Sequence, residues 1–458
     1  MNLLAAVIGC GPAPVSTTAP VESPRPVAAS DAQPPTELVF AEPEKGTEED
    51  RAVLNQFSWR DFIALNWPAA AQRGVADTTK NLGDPAERVV WESWKSVDEL
   101  FSADPIRNPP TDWDSYKATL SIRFLDRDKK QQHHSAPNGL PAQETGKVKL
   151  LQQLARLEDV NHNLLDVNQA VLATAKGSPL VAQNKTFVRF ETRMNREAYD
   201  FMKQGEYYIK EKQPAKLTFP NQAIHIKAAW MELPEQGTPA QTEALRKRFY
   251  STTAKLIEWT DEPNPRPILK DRVVGLVGLH IVHKTPGRPD WIWSTFEHRD
   301  NLLPERGPGT PPASFSRKDP APAAAEHNKP QLDPLEPRKP LPQIKDEHVT
   351  EVVRVQKIHE TTADVNKDIW SKAPVRGTVW ENYQLIGTQW PKFGLRTRPT
   401  DGGSAENRLP KNLANVTMET FFPANRMSCL QCHISAAPGE FVFHPERAVS
   451  VPQVTKKP

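Results

Sequence analysis

The chain has 458 residues, 38% hydrophobic and 25% charged, enough for roughly two to three ordinary domains or one large one with insertions. Its formal net charge is only +2, which argues against nucleic acid as the main partner. Proline is the outlier at 45 residues, about twice the usual share, and such an excess collects in linkers rather than in helices or sheets.

The first residues read MNLLAAVIGCGPAPVSTTAPVESPRPVAASDAQPPTE. A short apolar run, Leu3 to Ile8, leads into Val7-Ile8-Gly9-Cys10, which resembles a bacterial lipobox with Cys10 as the lipidated residue. No Lys or Arg precedes the run, a departure from the usual leader. The Pro-, Ala-, Ser- and Thr-rich stretch up to Glu37 reads as the tether that follows such an anchor. Residues 1–37 thus predict an exported, periplasmic protein that is lipid-anchored to a bacterial membrane. No other stretch approaches the roughly 18–20 apolar residues of a spanning helix, so contact with the membrane runs through the lipid alone.

A mainly helical region is expected over residues 38–179. In EEDRAVLNQFSWRDFIALNWPAA, Leu54, Phe57, Phe62 and Leu65 recur near helical spacing, and Pro68 ends the pattern. AERVVWESWKSVDELF predicts a second amphipathic helix with Val89, Trp94 and Leu100 toward the core. KVKLLQQLARLEDVNHNLLDVNQAVLATA keeps the helical period over Leu150, Leu151, Leu154 and Leu157. Trp59, Trp67, Trp91 and Trp94 read as packing aromatics rather than a cofactor box.

Residues 180–400 change to the period of strands. SPLVAQNKTFVRFETRMN predicts two short strands about an Asn-containing turn, followed by a helix over Arg196–Gln204. LTFPNQAIHIKAAWMEL and RFYSTTAKLIEWT each alternate as strands. RVVGLVGLHIVHKTPGRPDWIWSTFEHRDN has two apolar, β-rich halves joined by Lys284 to Asp290 and reads as a hairpin, and GTVWENYQLIGTQWP predicts a further strand. Between the last two, residues 303–343 are dense in proline and charge and form an excursion, either ordered by contact or disordered. The fold class is α+β: N-terminal helices, an antiparallel β-rich body, and a short C-terminal segment over 401–458.

Two of the three cysteines stand in NRMSCLQCHISAA, inside that last segment. Three chemistries use C-x-x-C: a dithiol redox centre, half of a zinc site, and covalent haem attachment. A dithiol centre opens a helix after a strand in a βαβ unit, and no such unit surrounds this pair. Zinc needs two further ligands, yet there is no second cysteine pair, and His433 and His444 stand too far apart for the usual spacing. Haem needs nothing more. On one helical turn Cys429, Cys432 and His433 project to one side, so the thiols can form thioethers with the porphyrin vinyl groups and the imidazole falls over the iron. The motif predicts one covalent haem c on Cys429 and Cys432, with His433 as an axial ligand of the iron.

No methionine follows His433, so a sixth ligand comes from upstream, from His444, or from nothing. Met418, His444, His298 and His280 are the candidates, and a Met or His ligand would set the redox potential differently. Pairing Trp291 with His283 in the hairpin puts His280 and His298 on one face and His283 on the other. A core histidine bonded to backbone or carboxylate is the favoured reading of His280 and His298, and His225 shares the ambiguity. Arg408, Arg426 and Arg447 are candidate partners of the haem propionates, with solvated surface charge as the plainer reading.

The segments FSWRDFIALNWP, FVRFETRMN, IHIKAAWMEL, GLHIVHKTPGRPDWIWSTFEHRDN and SCLQCH resemble those of a group of bacterial proteins described only as cytochrome c family proteins, over most of residues 55–445. The resemblance implies an exported monohaem protein with a large non-cytochrome body. It carries over Cys429, Cys432 and His433 and supplies no substrate. The expected function is single-electron transfer to and from a redox partner protein in the periplasm. The alternatives are a peroxidase-like or other small-molecule haem oxidoreductase, with His280 or His298 as distal group, and a haem-based sensor or binding protein.

Overall fold

The computed structural model describes residues 29–40, 47–102, 104–118, 121–125, 131–135, 145–151, 157–158, 164–165, 178–233, 239–288, 290–302, 313–316, 327–333, 335, 339–391, 408–421, 428–433, 442, 445 and 448. Cys10, the candidate lipidation site, lies outside them, as does His444. No helix among the described residues is long and apolar enough to cross a membrane.

Helix α1 spans Arg51–Leu65. A capping box precedes it, in which Thr47 Oγ1 accepts from the Glu49 N–H and the Asp50 carboxylate takes the Thr47 N–H. Leu54, Phe57, Phe62 and Leu65 are all buried, and the helix ends before Pro68. The expected second helix does not form as one piece. Val90–Ser93 is a 3-10 turn, Lys95–Ser96 a short strand, and Val97–Leu100 a single helical turn. Ser96 restarts the chain as an N-cap, exchanging hydrogen bonds with Glu99. The polar residues Glu92, Lys95 and Glu99 are buried as well, so there is no solvated stripe to define an amphipathic helix. Val89, Trp94 and Leu100 still face the core. Leu150–Leu151 is likewise a strand rather than helix, and Leu157–Glu158 pairs with Leu164–Leu165. Short leucine runs fit either period, and burial at a sheet edge decides here.

The rest follows the expected order. Strand β1 (Val188–Met194) leads into helix α2 (Arg196–Gln204), whose N-cap Asn195 accepts from the Ala198 N–H at 3.2 Å. Then come β2 (Ile224–Glu232), α3 (Pro239–Arg248), β3 (Ser251–Trp259), β4 (Pro267–His283), β5 (Ile292–His298), α4 (Glu360–Trp370), β6 (Tyr383–Pro391) and the single turn α5 (Cys429–His433). Helices α3 and α4 are additions to the sequence reading.

The sheet runs β1-β2-β4-β5-β6, all antiparallel, with Lys95–Ser96 added beyond β1 and Arg408–Leu409 beyond β6. Strand β3 pairs with the first half of β4, and Leu150–Leu151 joins β3 in parallel. Few helices around one large mixed sheet make the protein α+β.

The register assigns each side chain to a face. His283 pairs with Ile292, not with Trp291, because Trp291 is held in the turn at φ +65°. A one-residue offset turns every β5 side chain over. His298 therefore shares a face with His283, and His280 lies on the opposite one, which corrects the expected grouping. On the first face α1 packs closely. Phe62 stacks on Phe296 at 4.3 Å, Ser58 bonds both Ser294 and Thr388 at 2.6 Å, and Asp61 holds His283 Nδ1 at 3.0 Å. Burial pushes the Asp61 carboxyl up against the pull of His283. The opposite face carries a second core of Val188, Phe190, Ala229, Met231 and Phe315 together with Val416, Met418 and Phe421 from the C-terminal segment. Parts of the 303–343 excursion are ordered by contact. Phe315 is fully buried, and Leu332, Leu335 and Leu341 pack on Val181, Phe187 and Val349. Residues 303–312 and 317–326 lie outside the described ones.

Candidate functional site

One row of side chains crosses the sheet on the second face: Met194, His225, Val282, Trp293 and Gln389, each directly opposite the next. Its far end seats α5. The Leu430 N–H donates to Gln389 Oε1 at 2.8 Å, and Gln389 Nε2 donates to the Pro410 carbonyl at 2.6 Å. The Trp293 indole lies against the His433 imidazole, with 4.6 Å between ring centroids and 58° between planes. Leu430 is buried in the main core, and Cys429 packs against it while partly exposed. Cys432 is in the same turn, and its side chain lies outside the described residues. A five-residue helix is too short to persist alone, so these sheet contacts set its orientation.

The chain reaches α5 along a strap laid over β4 to β6. Leu413 sits over Gly387, where a Cβ would come within 2.8 Å of its Cδ1. Asn415 Nδ2 donates to Thr295 Oγ1 at 2.8 Å, and the Val416 N–H donates to Glu297 Oε1 at 2.7 Å. Thr417 and Met418 lie over Gly278, so both glycines serve close approach. Met418 is fully buried there, about 13 Å along β4 from the Trp293 row by strand rise. His280 stands only one same-face step from that row, about 7 Å. Its Nε2 makes no hydrogen bond among the described residues and lies 3.6 Å from Glu419 Oε2. Burial raises the Glu419 carboxyl, but His280, Lys227 and the Asn415 N–H outweigh it and hold the group below its ordinary range.

His298 is elsewhere. On the α1 face its ring stacks on Phe249 at 3.8 Å, Nε2 donates to the Arg248 carbonyl at 2.9 Å, and Nδ1 accepts from the Asp300 N–H at 3.0 Å. Both ring nitrogens serve the backbone, the arrangement of a core histidine. His225 is buried between Phe219 and Trp291, and burial drives its imidazole down to about 3. Arg426 and Arg447 lie outside the described residues, and Arg408 begins the short strand on β6. The structure thus brings Cys429, His433, His280 and Met418 to one face, with His280 the nearer candidate to His433.

Sequence reasoning missed the seat itself, Gln389 and Trp293, and it read Lys284 to Asp290 only as a turn. The turn is more than a connection. Thr285, Arg288 and Trp291 are linked in steps of three, the Arg288 N–H to the Thr285 carbonyl at 3.0 Å and the Trp291 N–H to the Arg288 carbonyl at 3.1 Å. The Asp290 carbonyl accepts from Trp293 Nε1 at 2.8 Å, so the turn leans on the indole that meets His433. One arginine close to two tryptophans in GRPDWIW is the signal that could have marked it.

No family model, no curated protein and no solved structure matches the chain. Among the described residues no group of three or more His, Cys, Asp and Glu side chains is placed to hold a metal ion.

Proposed function

We propose that the protein is an exported single-haem c-type cytochrome, holding haem c through Cys429 and Cys432 with His433 on the iron and exchanging electrons with a periplasmic partner protein. The observation that carries the reading is the seat of the motif: Cys429–His433 folds as one helical turn, as the chemistry requires, and is fixed to the central strands by Gln389 and Trp293. On the turn that leans on Trp293, two buried donors, Thr285 Oγ1 and Trp291 Nε1, make no hydrogen bond among the described residues and fit a bound group that offers acceptors. Haem supplies one-electron exchange at its iron. The chain's own residues do the rest. Gln389 fixes the helix start, Trp293 restrains the imidazole plane, and the strap shields this face of the sheet from water. A lipid on Cys10 would keep the body at the membrane.

The test is an intact mass of the protein made in a host that matures c-type cytochromes. The expected mass exceeds the polypeptide by one haem, and Cys429→Ser with Cys432→Ser abolishes the gain. A haem-stained denaturing gel without a band would refute the reading.

A second reading, a haem oxidoreductase or sensor with an open sixth position, draws on His280, whose Nε2 lies 3.6 Å from the Glu419 carboxylate and makes no hydrogen bond among the described residues. Carbon monoxide separates the two. A spectrum that carbon monoxide leaves unchanged favours electron transfer, and a shift that His280→Ala alters favours the second.

A further inference from the structure

The α1 face of the sheet holds a buried arginine whose charge the fold does not satisfy. Arg189 on β1 is 1% exposed, and among the described residues none of its three guanidinium nitrogens makes a hydrogen bond. Arg193, on the same strand and face, is also buried, yet it donates Nη1 to the Trp94 carbonyl at 2.6 Å and Nε to Glu191 at 3.3 Å. Arg189 Nε lies 3.6 Å from Glu232 Oε1, beyond hydrogen-bonding reach, and Arg272 Nε stands at the same distance from Glu232 Oε2. Glu258, whose charge also acts on Arg189, is taken by Lys270 at 2.6 Å. Three cations against two carboxylates leave one positive charge in excess. Burial pushes the Arg189 guanidinium down and the Glu232 carboxyl up, each against the pull of the other, so neither charge is fully compensated. Buried donors without acceptors are costly and rare in folded proteins, and each such case calls for an explanation.

We infer that Arg189 binds the carboxylate of a small organic acid, at a site separate from the cysteine motif. A guanidinium fork matches a planar carboxylate through two parallel N–H bonds. One positive charge in excess suits a monoanion, and the nearby carboxylates of Glu232 and Glu258 disfavour a doubly charged phosphate. Trp230 stands directly opposite Arg189 and Ala254 directly opposite Arg272, both buried, which favours an apolar tail on the acid. Side-chain exposure climbs from 1% at Arg189 through 16% at Glu232 to 35% at Arg272, and this marks the side from which the acid reaches the guanidinium. Arg189 is on the face opposite α5 and five residues along β1 from Met194, so the inference does not depend on the haem reading.

The test is urea unfolding of the full-length protein in a carboxylate-free buffer. Sodium butyrate is the probe, and the controls are sodium chloride at equal ionic strength and the uncharged butyramide. Butyrate at about nine times its dissociation constant should raise the folded-to-unfolded ratio about tenfold, and the effect should saturate as one site fills. Neither control should do so. Arg189→Met keeps the length of the side chain without its charge and should abolish the response. If Arg189→Met does not fold, Arg272→Gln decides in its place, and it should weaken butyrate binding about threefold. A wild-type protein that butyrate stabilises no more than chloride does overturns the inference. So does a response that survives in Arg189→Met, or, where that variant does not fold, one that Arg272→Gln leaves unchanged.

Discussion

Replacing Gly278 with alanine should loosen the strap that leads to α5. The added methyl would collide with Thr417 Oγ1, well inside van der Waals contact, and would press on Met418 Cε at 3.3 Å and Asn415 Oδ1 at 3.4 Å. Thr417 has nowhere to turn. It is fully buried, its hydroxyl donates to Asn415 Oδ1 at 2.8 Å, and Asn415 is bonded to Thr295 and to the Phe296 carbonyl. Overpacking of this kind costs about 1–3 kcal/mol, and a lost hydrogen bond adds about 1 kcal/mol. Reduced freedom of the unfolded chain returns about 0.4–1 kcal/mol. Gly278→Ala should therefore lower stability by about 1–3 kcal/mol. Thr417→Ala removes the oxygen at fault, so the double variant should recover at least about 1 kcal/mol relative to additivity. Urea unfolding of wild type, both single variants and the double variant measures this, with hydrogen exchange over 415–421 reporting where the loosening occurs. A Gly278→Ala protein as stable as wild type, or two strictly additive substitutions, would refute the close approach of strap to sheet.

Two further outcomes follow from the same face. His225 is kept neutral in the fold, its imidazole lowered by burial from 6.5 to about 3, so below pH 6.5 only the unfolded chain takes up that proton. Stability is intact above pH 6.5 and falls as pH drops toward 3, at up to about 1.4 kcal/mol per pH unit. His225→Phe should remove that slope, reducing the loss between pH 7 and pH 4.5 by about 2–3 kcal/mol in urea titrations, and an unchanged difference would contradict the buried neutral ring. Gln389→Leu deprives the Leu430 N–H of its acceptor, a loss of about 1–3 kcal/mol at a buried site. Amide exchange over 429–433 should then quicken about tenfold or more, and unaltered protection would mean that α5 is held by something else.

Much of the β body was legible because Ile224 to Glu232, and the two halves of the hairpin, carry the apolar content and length of buried strands. Helix α2 was legible because Asn195 caps a strongly amphipathic turn. The register of the hairpin was not, since nothing local announces that Trp291 adopts a left-handed backbone and adds one residue to the turn. The region from Val89 to Leu100 misled for a different reason. Its charged residues are buried in ion pairs, Lys95 and Arg73 both with Glu99, so the pattern of polar positions does not mark solvent. The cysteine motif was visible as a string of residues. Its seat was not, because Gln389 is 41 positions from Leu430 and Trp293 lies in another strand. Gly278 and Gly387, isolated inside strand patterns, were the available hints that another segment comes close.

The five residues of α5 have no scaffold of their own. Fusing them with their strap to an unrelated body would transplant the thiols and the imidazole, but not the carboxamide and indole that aim them. Among relatives of this chain, positions 293 and 389, directly opposite each other on β5 and β6, should accordingly drift together, a change at one drawing compensation at the other.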